Sequence, residues 1–218
     1  MTDHLLLVFF SYSILLAAVI GAIRFAKVPP AGRPFLYIVW LALANEILSE
    51  IFTATLHSTA VNCNIYVLAE ALLYCQLFYN WGSLRRHRNW FRFLLVFICA
   101  VWVLDNLIFH SLHVTNSLFR IVSSFVLVFL AIDRINQLIT TERSNLLKNA
   151  RFLISTGVII FFTYRAIIEV FYLMKLPFSN QFYLNVYVIM DFVNLFVNLI
   201  FALAVLWIQT KQKFILLS

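Results

Sequence analysis

Little in this chain is charged, and little in it would break a helix. Aspartate, glutamate, lysine and arginine make up 11% of its 218 residues, against about 25% in a soluble domain. With 63% hydrophobic residues and a mean hydropathy of +0.93, a water-soluble fold of this length is excluded. Glycine and proline number four each, so long uninterrupted helices are expected. Alternating strands of ~10 residues separated by turn residues are absent, which excludes a transmembrane barrel. The three cysteines form an odd set without metal-type spacing. Cys75 and Cys99 fall inside apolar runs and Cys63 has no evident partner, so no disulfide is expected.

What is present is a series of seven apolar runs: Leu5–Ile23, Phe35–Leu56, Asn64–Trp81, Phe91–His110, Asn116–Leu138, Arg151–Leu173 and Phe182–Ile208. Each is near the ~20 residues that span a bilayer core. The connections are short, and no stretch is long or polar enough to fold apart from the rest. The expected fold is an all-α, polytopic membrane protein of seven spans, one domain over residues 1–218.

The basic residues set the orientation. The segment Met1-Thr2-Asp3-His4 carries none, and Arg24, Lys27 and Arg33 follow the first run, which argues against a cleavable signal peptide. Arg85, Arg86, Arg88 and Arg92 lie between the third and fourth runs. Arg134, Arg143, Lys148 and Arg151 flank the next such connection, and Lys211 and Lys213 follow the last run. Among the alternate connections the main exception is Lys175. This pattern predicts an outer N-terminus and an inner C-terminus. The net charge of +7 is thus juxtamembrane and points to lipid headgroups, or to a partner protein docked on the inner loops, and not to nucleic acid.

Two runs repeat each other. Asn64 to Glu70 reads N-I-Y-V-L-A-E, and Asn185 to Asp191 reads N-V-Y-V-I-M-D. Glu50 and Glu169 precede these two carboxylates by similar separations. Residues 5–81 would then form a first repeat and 116–208 a second, both in the same direction, with 91–110 as a linker helix.

This three-plus-one-plus-three order resembles sugar transporters of the SWEET type, the rhodopsins and the seven-helix receptors, over the whole chain but in topology alone. Their motifs are missing. No lysine lies between 182 and 208 for a retinal Schiff base, and no proline lies there for a receptor N-P-x-x-Y motif. The third run ends Tyr79-Asn80-Trp81, without the acidic-Arg-aromatic triplet of the receptors. The prolines (Pro29, Pro30, Pro34 and Pro177) stand at helix ends or in connections. The third run, with Ile65, Tyr66, Leu68, Glu70, Leu72, Leu73 and Tyr74, resembles small uncharacterised seven-helix membrane proteins of Bacteroidetes-like bacteria. The expected location is a cell membrane of the bacterial inner-membrane kind.

The ionisable residues inside the runs form a layer. At a rise of about 1.5 Å per residue, Glu50, Glu70, Asp105, Glu169 and Asp191 fall at similar depths from the outer side. Arg120 is slightly shallower, Arg165 one turn deeper, and Glu46 nearer the midplane. Intramembrane charges are costly and mark functional sites by default. Six carboxylates face two arginines, so the surplus must take up protons, recruit a cation or an amine, or open to water. Arg165 needs a carboxylate, Glu169 or one on the second, third or seventh run. A stripe through Tyr183, Tyr187, Asp191, Asn194 and Asn198 should face the interior. The candidate binding set is Glu50, Tyr66, Glu70, Tyr74, Asp105, Arg120, Arg165, Glu169, Tyr187, Asp191 and Asn194. Polar helix-to-helix glue is the competing explanation.

No cofactor and no catalytic residue are expected. His57, His110 and His113 are the weak metal candidates, and a zinc there would make the chain a lipid hydrolase of the alkaline-ceramidase type. Ser49, Ser123 and Ser124 lack a histidine at matching depth. The preferred expectation is a ligand-binding or sensory subunit that takes a small cationic ligand and acts through a partner. A small proton- or cation-coupled transporter is the second, and the hydrolase the third.

Overall fold

The computed structural model describes residues 12–83, 88–141, 146–174 and 179–208. His4, Arg85, Arg86, His87, Arg143, Lys175, Pro177, Lys211 and Lys213 lie outside the described residues, as does the start of the first run. The described residues form seven α-helices and no strand. These are α1 (Ile14–Arg24), α2 (Arg33–Leu56), α3 (Ala60–Trp81), α4 (Arg88–Val103), α5 (Ser117–Thr141), α6 (Ala150–Leu173) and α7 (Asn180–Trp207). Their bounds follow the apolar runs to within a few residues.

Local chemistry sets the ends. Pro34 sits in the first turn of α2, where its missing N–H is no loss. Gly82 ends α3 with φ +110°, and its N–H turns back to the carbonyls of Phe78 and Tyr79. Only glycine takes that conformation without strain. Asn149 caps α6 by accepting from the Arg151 N–H, and Ser179 caps α7 by accepting from that of Phe182. One end departs from the α pattern: α4 continues as a π-helical turn, Leu104–Phe109.

Large apolar side chains cover much of the outer surface, among them Leu15, Val96, Phe97, Phe129, Phe196 and Leu203. Helices apolar on their outer faces need a core or a bilayer around them. Among the described residues five stretches are long and apolar enough to cross a membrane: Pro30–Thr55, Ala60–Trp81, Asn89–Phe109, Ala150–Leu173 and Leu184–Trp207. The chain is a membrane-embedded helical bundle.

Six helices pack in chain order, α1 on α2, α2 on α3, α3 on α5, α5 on α6, α6 on α7, and α7 back on α1. The fourth helix stands outside this ring, against α3 and more sparsely α5. We call the end carrying the α2–α3, α4–α5 and α6–α7 connections the upper end, and the other the lower end. The interior toward the lower end is filled. Phe35 meets Phe201 edge-on at 5.1 Å, Tyr74 meets Phe162 at 5.5 Å, and Phe78 meets Trp81 at 5.8 Å. Gly157 lets α6 approach α7 closely, since a Cβ there would stand 2.5 Å from the Phe201 ring. At the lower end Arg24 of α1 donates to the carbonyls of Leu206 and Ile208 at the end of α7. A cation is well placed on the last carbonyls of a helix.

Candidate functional site

Toward the upper end the ring surrounds a half-open cavity of about 270 Å³, walled by residues from α1, α2, α3, α5, α6 and α7. A narrower extension of about 50 Å³ continues below it, between Tyr66, Glu70, Tyr74, Asn198 and Phe201. The main volume lies just under the ~300 Å³ at which drug-sized sites begin. It suits a small metabolite.

One wall carries both arginines. Arg165 on α6 donates from Nη1 to Glu70 Oε2 on α3 at 2.9 Å, and the Tyr66 hydroxyl donates to Glu70 Oε1 at 2.7 Å. The Glu70 carboxylate is buried, and both its oxygens are engaged. Arg120 on α5 donates from Nη1 to Glu169 Oε1 at 3.3 Å. Its Nε is buried and has no hydrogen-bond partner. The hydroxyls of Ser123 and Ser124 donate to the Arg120 carbonyl, at 3.2 and 2.6 Å, so these serines are occupied within their own helix.

Another part of the wall is acidic. Glu46 on α2 lines the cavity, and the charges bearing on it are Glu50, one turn away, and Asp191 on α7. Among the described residues none of these three carboxylates forms an ion pair with a lysine, arginine or histidine. The polar floor is a short chain in which Asn198 donates to Ser13 Oγ at 2.8 Å and to Asn194 Oδ1 at 3.3 Å. Between α2 and α3, Asn62 donates to Asn45 Oδ1 at 2.9 Å and to Ser49 Oγ at 3.2 Å.

The candidate residues thus separate. Tyr66, Arg120, Arg165, Glu169, Tyr187 and Asn194 line the cavity, and Tyr187 is 50% exposed at its rim. Glu70 and Tyr74 line the extension. Glu50 is exposed on α2, and Asp191 is half-buried beside the cavity; neither is on its wall. Asp105 is elsewhere. Its carboxylate is fully buried, accepts from the Phe119 N–H at 2.7 Å, and holds His110 Nδ1 at 3.0 Å. It fastens the π-helical end of α4 to the first turn of α5. The reason is that α4 stands outside the ring, so Asp105 shares the depth of the layer without reaching the cavity wall. Asn116 reinforces this junction by donating to Asn106 Oδ1 and to the Ser111 carbonyl, both at 3.1 Å.

The histidines do not assemble. His57 stands exposed at the end of α2 with φ 53°, His113 is exposed in the α4–α5 connection, and His110 is bound to Asp105. Among the described residues no three His, Cys, Asp or Glu side chains are placed to hold a metal. The wall also includes residues outside the candidate set: Asn45, Glu46, Cys63 and Met190. For Glu46 the signal was its i,i+4 spacing from Glu50. No pattern marked Cys63 or Met190.

No family model matches the chain, and no curated protein or solved structure is significantly similar to it.

Proposed function

We propose that the chain is a seven-span subunit of a cell membrane that binds a small metabolite bearing a positively charged group in the cavity and reports its presence to a partner. The cavity carries this reading. A bundle packed with aromatic rings below leaves a cavity at the level where charges from several helices converge. Helix-to-helix glue brings polar groups against one another, whereas here Glu46 and the two arginine pairs stand around open space. The acids outnumber the arginines beside it: Arg120 and Arg165 are each matched by one glutamate, and Glu46, Glu50 and Asp191 add negative charge. A positively charged group on a ligand gives these unpaired carboxylates a partner.

Transport has less support. The floor reaches Asn198, and below it stand Phe35, Phe78 and Phe201, all buried, with no polar route among them. Signalling would then pass to a partner on the lower end, where Lys27, Arg33, Arg92, Lys148 and Arg151 gather near the connections. The parallel repeat of α1–α3 and α5–α7 is proposed on the matching runs at Asn64–Glu70 and Asn185–Asp191, although Glu70 is buried with an arginine and Asp191 forms no ion pair with a described residue. An experimental structure that superposes α3 on any helix but α7 would end the repeat.

The test of binding is a thermal melt of the purified protein in detergent with a panel of small amines and amino acids. Stabilisation should grow with ligand concentration. It should vanish in Ala42→Phe, which fills the cavity from α2. Equal melts for both proteins under every compound would remove the reading.

A further inference from the structure

The charges around the cavity are sorted, and the sorting narrows the ligand beyond net charge; this inference rests on the binding reading above. Arg120 and Arg165 belong to α5 and α6. Glu46 and Asp191 belong to α2 and α7. In the ring order α2 stands across from α6, and α1, between α2 and α7, stands across from α5. The charges bearing on Arg120 are Arg165 and Glu169, and those bearing on Glu46 are Glu50 and Asp191. Neither set counts the other among its charged neighbours. The cavity therefore has a guanidinium side and a carboxylate side.

We propose that the cavity binds a zwitterion, a small molecule carrying an ammonium and a carboxylate, with its ammonium toward Glu46 and Asp191 and its carboxylate toward Arg120 and Arg165. A plain cation would satisfy one side only. Each guanidinium has five N–H donors, and each spends one Nη on a glutamate. The Arg120 Nε remains buried with nothing to bond, which is costly unless a ligand accepts from it. Because Glu70 and Glu169 already neutralise the two arginines, the anionic end is recognised by directed donors and not by excess positive charge. A carboxylate fits such donors in a paired geometry. At the other end Glu46 lines the cavity, with Asp191 half-buried beside it, and neither forms an ion pair with a described lysine, arginine or histidine. The volume of about 270 Å³ leaves space for a short chain between the two ends.

The probes are γ-aminobutyrate, butylamine and butyrate, with glycine and longer ω-amino acids varying the charge separation. They are added near neutral pH to the intact protein in detergent, and binding is read from thermal melts and calorimetry. At least one amino acid should bind at least about tenfold more tightly than the amine or acid of equal chain length, since each end adds a charge-assisted hydrogen bond. Glu46→Gln should reduce the preference over the acid. Arg120→Gln combined with Glu169→Gln removes that ion pair whole and should reduce the preference over the amine. If butylamine binds as well as every amino acid, the zwitterion is wrong and the cation-binding reading stands. If butyrate does so, both the zwitterion and the positive ligand are wrong. If no amine, acid or amino acid binds, the binding reading falls and takes the zwitterion with it.

Discussion

Glu70 shows what one buried carboxylate does here. It holds Tyr66 on its own helix and Arg165 on α6, so α3 and α6 are tied at a level where water is scarce. Glu70→Gln removes the charge and leaves Arg165 enclosed without a counter-ion. The expected loss is roughly 3–5 kcal/mol, measured as unfolding free energy in detergent. The double change Glu70→Leu with Arg165→Met should regain most of it, because an apolar pair of similar volume replaces an ion pair at little cost. A single and a double variant of equal stability would disprove the coupling. Sequence spacing made Arg165 need a carboxylate but left the partner open between its own helix and others. Helical periodicity gives the face of a residue, and only packing gives what stands opposite.

Helices were far more legible than their contacts. The run Asn64–Trp81 became α3, Ala60–Trp81, and Phe182–Ile208 became α7, Asn180–Trp207, because apolar length and scarce breakers determine a helix locally. Asp105 was misplaced because depth along a helix does not give the helix its place in the bundle, and α4 stands outside the ring. Asp105→Ala should cost about 0.5–2 kcal/mol, as a lost helix cap does, and leave ligand affinity unchanged, since Asp105 is off the cavity wall. A fall in affinity without a fall in stability would contradict that placement. Between α6 and α7, Gly157→Ala should cost about 1–3 kcal/mol through overpacking. The Phe201 ring is itself held edge-on by Phe35 and has little freedom to yield. An unchanged melting temperature would show that the helices can part there.

For the whole molecule, the alternation of basic and non-basic connections predicts the lower end in the cytoplasm. A reporter fused after the last residue should be active only if it functions in the cytoplasm; activity of a reporter that needs the outer side would reverse the orientation. The ring order, with α4 excluded, could not be read from the sequence, because seven apolar helices allow many arrangements and the choice depends on small residues and on charges distant in the chain. The closure of α1 on α7 has a consequence in time. Arg24 and Leu206 are separated by 182 residues. At about 5–20 residues per second of synthesis, some 10–40 s pass between the arrival of the arginine and that of the carbonyl it holds. During that interval the first helix has no closing partner, and Glu46, Tyr66 and Arg120 are made before Tyr187, Asn194 and Asn198 of the helix that completes the cavity wall.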